Sequence, residues 1–232
     1  MSDSIHKGHR QRMKDRFLQE GLDHFSDIQV LELLLFYCVP RQDTNPMAHR
    51  LLDHFGSLSQ VLEAPVEELT KIPGIGDNTA TFLHLITEVG RYYQVNRSSQ
   101  VTILPSIEDC ARYMLPYFFG RRVETVFLLC LDAKCKVLCC KEVGEGSVNS
   151  ASISARKIVE TALGANATTV VLGHNHPSGI AVPSGEDLQT TCRIAAALRC
   201  VDIYLADHII VADDDYVSMV QSGYKFNECL VI

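Results

Sequence analysis

The stretch Val-Val-Leu-Gly-His-Asn-His at residues 170–176 constrains this chain more than any other. A short apolar run of this kind reads as a buried strand. On a strand, residues i and i+2 face the same side, so His174 and His176 are delivered together at its C-terminal end. Pro177 stops the ladder because it has no N–H to give. The chain then loops through Ser178, Gly179 and Pro183 to Ser-Gly-Glu-Asp at 184–187. A serine at an N-cap with an acid three residues later is a capping box, here with Asp187 as a short acid. The helical run that follows reaches Arg199. Asp187 is therefore held in a first helical turn that can fold back towards the two imidazoles.

Two neutral imidazoles and one carboxylate form a ligand set for Zn2+. Three protein ligands leave a fourth position for water, the arrangement of catalytic rather than structural zinc. The same residues also have a plainer use, as hydrogen-bonded histidines at a strand end and an aspartate that only caps its helix. The whole spacing is more specific: His-x-His, seven residues, Ser, two residues, Asp, without insertion. It resembles the JAMM (MPN-plus) metalloprotease motif. The wording His-Asn-His-Pro-Ser-Gly and Pro-Ser-Gly-Glu-Asp resembles its bacterial RadC-like branch. In the first half, Gly8-His9-Arg10, the Leu31–Leu35 run, Arg41–Thr44, Phe55-Gly56 and Ile72–Gly76 resemble the amino-terminal region of RadC-like proteins, so the resemblance spans nearly the full chain.

That resemblance implies an α/β fold: a helical domain with a helix-hairpin-helix, then a cytidine-deaminase-like α/β/α sandwich. It implies one zinc per chain on His174, His176 and Asp187, with Glu124 as general base and Ser184 as hydrogen-bond donor to the oxyanion. It also implies hydrolysis of a peptide or isopeptide bond. A residue-level argument supports Glu124 independently. It sits in Val-Glu-Thr-Val-Phe-Leu-Leu-Cys-Leu, an otherwise apolar strand over 123–131, where a carboxylate needs a partner or a task. Glu142, Glu145 and Glu186 are the other candidates, and a solvated Glu124 beside Arg121 and Arg122 is the plainer alternative. Asp207 and His208 adjoin on a strand and so face opposite sides. They are read as structural, or as supporting the site from behind.

Two domains are expected, 1–98 and 102–232, joined at the polar stretch Asn96–Gln100. The residues predict helices over 5–20, from Ser26 or Asp27, from Asn45 as cap with Pro46 in the first turn, from about Leu58, after Gly76, over 107–118, and from Ser152 or Ser154 to Leu163. They predict strands over 123–131, 136–141, 168–176, 202–206 and 208–212 (or one bent strand), and 216–220. Hairpins at both ends of the second domain imply a mixed sheet. Specificity would sit in the loops 144–150 and 179–183.

A net charge of −7 disfavours broad electrostatic attraction to nucleic acid. Non-specific DNA contact would need the local basic helix (Lys7, Arg10, Arg12, Lys14, Arg16) or the Ile72–Gly76 hairpin, whose helix start offers free N–H groups to a phosphate. Asp77 stands where many DNA-binding hairpins carry a base, so a simple join between two packed helices is the alternative. A DNA-associated adaptor or repair accessory protein with a non-catalytic zinc site is the rival to the enzyme. Nine dispersed cysteines predict reduced thiols. The lack of an 18-residue apolar run or a signal-peptide pattern predicts a cytoplasmic protein without a membrane partner.

Overall fold

The computed structural model describes residues 8–40, 42–99, 103–146 and 154–228. The chain divides into two compact units, Met1–Gly90 and Arg91–Ile232. No helix among the described residues is long and apolar enough to cross a membrane.

The first unit is helical: α1 (His9–Glu20), α2 (Asp27–Cys38), α3 (Asn45–Phe55), α4 (Leu58–Glu63), α5 (Val66–Leu69) and the start of α6 (Asp77–Ser98). Ser26 and Gln29 form a complete capping box at α2. The expected cap at Asn45 is corrected: Thr44 is the N-cap residue, and Asp43 accepts the Asn45 N–H at 3.0 Å. Leu31, Leu35, Leu51, Val61, Leu69, Ala80 and Leu83 are fully buried in one core. Ile72 and Ile75, flanking the glycine turn, belong to that core, and Lys71 pairs with Glu68 at 2.6 Å.

The basic helix α1 also has structural employment. Arg10 donates to the carbonyls of Phe36, Val39 and Gln42, satisfying the open end of α2 and the turn beyond it. Arg16 donates to Glu20 and the His24 carbonyl, and Lys14 lies over the Tyr37 ring. Lys7 and Arg41 lie outside the described residues.

Helix α6 continues through Asn96–Ser98, so the start of the expected linker is helical; Gln100 lies outside the described residues. The second unit then holds α7 (Ile107–Phe118), β1 (Thr125–Leu131), β2 (Val137–Glu145), α8 (Ala155–Gly164), β3 (Thr169–Asn175), α9 (Gly185–Arg199), β4 (Tyr204–Ala212) and β5 (Asp215–Ser218). Five strands form one sheet in the order β2-β1-β3-β4-β5. Only β3 and β4 are parallel; the other neighbours are antiparallel. The mixed sheet is as expected. Of the two readings of 202–212, the single bent strand is the one formed: β4, whose register against β3 shifts between Leu205 and Asp207. Ser154 caps α8, while Ser152 lies outside the described residues.

Strand alternation builds two cores. Val126, Leu128, Cys130, Val170 and Leu172 face α8 and α9, where Ile158, Ala162, Ile194 and Leu198 cover them. Phe127, Leu129, Leu131, Val171 and Ile209 pack with Cys110, Met114 and Phe118 of α7. Cys139 and Cys140 fall on opposite cores, as packing residues of β2. Cys192 is disulfide-bonded, which corrects the expectation that all cysteines are thiols.

The α7 face of β3 explains the glycine before His174. A Cβ built on Gly173 would lie 2.6 Å from Met114 Cε and 3.3 Å from Phe118 Cζ. Gly173→Ala is therefore expected to destabilise the protein by about 1–2 kcal/mol, the low end of overpacking because a methionine can partly repack. The urea midpoint measures it. An unchanged midpoint would contradict this packing.

Candidate metal centre

His174 is the sixth residue of β3, on the face that carries Val170 and Leu172, which is the side of α9. His176 follows the strand, with its N–H still bonded to the Val211 carbonyl of β4 at 2.7 Å. The two rings thus leave β3 in the same direction. Asp187 stands in the first turn of α9, whose N-cap is Ser184. Ligand atoms of His174, His176 and Asp187 lie within 4.8 Å of one another, the single such group among the described residues. His174 is fully buried, Asp187 is 3% exposed, and the His176 side chain is 15% exposed.

The donor atoms converge in detail. His174 Nε2 and His176 Nε2 are 2.8 Å apart. Asp187 Oδ1 is 3.3 Å from His174 Nε2, and Oδ2 is 3.6 Å from His176 Nε2. His176 Nδ1 is 2.9 Å from the Ile180 carbonyl, which can only accept, so Nδ1 carries the ring proton. With the proton on Nδ1, the His176 ring turns Nε2 to a point it shares with a carboxylate. This donor set fits a cation, and borderline-soft imidazole with one carboxylate fits zinc.

Ser184 and Asp187 hold each other. The Ser184 N–H and O–H both donate to Asp187 Oδ2 at 2.7 Å, and the Asp187 N–H donates to Ser184 Oγ at 3.1 Å. The two Ser184 donors favour the ionised Asp187 carboxylate against the cost of its burial. Oδ1 has no part in the capping box. The Ser184 hydroxyl faces the competition its two uses imply: its hydrogen now points to Asp187.

Glu124 lies just before β1 and is half-buried. In the antiparallel β1–β3 ladder Val126 is paired with His174. Glu124 precedes that pair by two residues on the β1 side, and His176 follows it by two on the β3 side. Asn175, between the two histidines, turns the other way. It accepts the Thr125 N–H at 2.7 Å and donates to the carbonyls of Val123 at 3.1 Å and Arg121 at 3.3 Å. The Glu124 carbonyl accepts the Gly146 N–H at 2.7 Å. The backbone on both sides of Glu124 is thus pinned. Of the other carboxylates, Glu142 pairs with Arg121 at 3.0 Å, and Glu186 is exposed on the first turn of α9. The loop over 147–150 lies outside the described residues.

The family described as RadC-like JAB domain matches residues 104–224. The family described as UPF0758 N-terminal matches residues 6–81. The chain belongs to the RadC-like JAB-domain family. This RadC-like protein is 33% identical to a UPF0758 protein of Fusobacterium nucleatum, over 96% of this chain and 99% of the relative. It is 33% identical to one of Ruegeria pomeroyi, over 94% and 97% of the two chains. It is 34% identical to one of Nitrosococcus oceani, over 92% and 95%.

Several residues around the RadC-like site escaped the sequence reading. Asn175 carries no signal beyond its place between two histidines. Thr191 is one helical turn after Asp187, a spacing that puts it on the same face. His208 and Asp207 do separate, as their adjacency on a strand requires. Asp207, fully buried, accepts from Ser218 Oγ, from the Val220 N–H at 3.0 Å and from the His208 N–H at 2.7 Å. Burial raises its carboxyl pKa against those bonds.

His208, also fully buried, meets His174 Nδ1 through its own Nε2 at 2.8 Å. Burial pushes its imidazole well below the ordinary 6.5, so it is neutral when folded. Unfolded, His208 takes up a proton as pH falls below about 6.5 while the folded state does not, so acid costs stability in that window. Metal-free wild type is therefore expected to lose stability relative to His208→Gln between about pH 6.5 and 5. Urea unfolding at each pH measures the difference; one that stays constant would contradict a neutral buried His208.

Proposed function

We propose that the second unit is a zinc-dependent metallohydrolase that cleaves a peptide or isopeptide bond. The observation that carries this reading is the convergence of His174, His176 and Asp187 in a buried donor set at the end of β3. Glu124 would be its general base, a role supported by its position two residues before Val126, the β1 partner of His174. His174 Nε2, His176 Nε2 and Asp187 Oδ1 would hold the ion. Zinc, when bound, lowers the pKa of water and polarises a carbonyl.

The chain's own residues supply the rest. The Glu124 carboxylate takes a proton from the water as its oxygen attacks the carbonyl carbon, and passes it to the amine nitrogen as the C–N bond breaks. Ser184 Oγ–H, turned from Asp187 Oδ2, donates to the oxyanion. The exposed side chains of Ile180 and Val182, beside His176 and Ser184, form an apolar margin for the substrate. Burial of the donor set keeps its electrostatic interactions strong.

The test is a hydrolysis screen of zinc-supplied protein on peptides and on isopeptide-linked conjugates. Cleavage that chelation stops and zinc restores is expected. Cleavage that is indifferent to chelation would contradict the reading.

A further inference from the structure

A chain of hydrogen bonds runs behind the donor set, and its direction is determined. Thr191 Oγ1 lies 2.6 Å from the main-chain carbonyl of Asp187. The same oxygen lies 2.6 Å from His208 Nδ1. His208 Nε2 lies 2.8 Å from His174 Nδ1, whose ring then turns Nε2 towards His176 and Asp187. Thr191 and His208 are both fully buried, so no water competes for these groups.

The proton positions follow from one group that can only accept. The Asp187 carbonyl has no hydrogen, so the Thr191 hydroxyl must give it one; otherwise two bare oxygens would face each other at 2.6 Å. The other neighbour of the hydroxyl, Met219 Sδ at 3.8 Å, is also an acceptor. Having spent its hydrogen, Thr191 Oγ1 accepts from His208, which places the His208 proton on Nδ1. With its one ring proton on Nδ1, His208 offers a bare Nε2, so the 2.8 Å contact needs the His174 proton on Nδ1. His174 Nε2 is left as a lone pair.

We propose that Thr191 and His208 are positioning residues that lock His174 in the tautomer whose Nε2 is free to bind a metal cation. The lock starts from the carbonyl of Asp187, itself a member of the donor set. One turn of α9 therefore couples the carboxylate to the tautomer of a ring on β3. It acts on the opposite side of His174 from the ion, and it complements the Ile180 carbonyl, which sets His176 in the same way. With both rings so set, three lone-pair donors face one point with no hydrogen among them, an arrangement that only a cation satisfies. Partners of this kind behind a ligating histidine typically hold about a 10–100-fold share of metal affinity.

The inference rests on the metal-site reading above, and its test separates the two. In metal-free wild type at pH 8, long-range 15N–1H NMR of the imidazoles should show His174 and His208 as Nδ1–H tautomers. This spectrum reads the hydrogen-bond chain even if the protein takes up no zinc. An Nε2–H tautomer at either ring overturns the proposal. Zinc affinity is then measured by chelator competition for Thr191→Val, which removes the acceptor at nearly constant shape, and for Thr191→Ser, which keeps it. Thr191→Val should bind zinc about 10–100-fold more weakly and Thr191→Ser nearly as wild type. Folding of both is checked by circular dichroism. A folded Thr191→Val with wild-type affinity, or a loss that Thr191→Ser fails to rescue, overturns it.

Discussion

Glu124→Gln is expected to lower hydrolysis by about 100–10,000-fold, the usual contribution of a positioned general base, while zinc binding stays at the wild-type level. The substitution keeps shape and removes basicity. The expected separation of effects comes from the fold. Glu124 lies just before β1, whereas the donor set comes from the end of β3 and from α9. Asn175 holds Thr125 N at 2.7 Å and the Gly146 N–H holds the Glu124 carbonyl, so the backbone keeps its place when the side chain changes. Turnover and zinc content measured on the same sample give the result. Full activity in Glu124→Gln would transfer the base to another carboxylate. Loss of zinc would make Glu124 a ligand.

His174→Ala/His176→Ala is expected to abolish zinc binding outright. Two of three donors vanish, and the remaining Asp187 is already occupied on Oδ2 by Ser184. The effect also appears in stability. An ion that binds only the folded state stabilises it by about 4 kcal/mol at a thousandfold excess over Kd. Wild type should show that zinc-dependent rise in its urea midpoint, and the double variant none. His174 is fully buried, so the variant also leaves a cavity and starts from a lower metal-free midpoint. The diagnostic quantity is therefore the increment on adding zinc, not the midpoint itself. An equal increment in both proteins would place the ion elsewhere.

Much of this was legible in the sequence because it is local. The capping serines 26, 106 and 184 announce their helices through side chains that bond three residues on. The alternation in Val170–Leu172 puts the two imidazoles on one face without knowledge of the tertiary fold. What stayed hidden depends on partners distant in the chain. Asp207 could stand between two strands or inside one bent strand. It is buried within one, β4, because Ser218 and Val220, more than ten residues away, satisfy it. The basic residues of α1 read as a solvated face or a phosphate-binding arm, and neither reading held any signal that Arg10 closes the end of α2, 26–32 residues on. Asn45 looked like a cap from its place before Pro46, but Asp43 takes up its N–H. His208 was open to two readings, structural or supporting the site from behind; its place behind His174 needed the parallel β3–β4 pairing, which no local pattern specifies.

The most direct test of the metal centre is zinc content by elemental analysis of protein prepared under metal-replete conditions. Wild type and Glu124→Gln should each carry close to one zinc per chain, and His174→Ala/His176→Ala should carry none. Wild-type protein that remains free of zinc under those conditions would contradict the account.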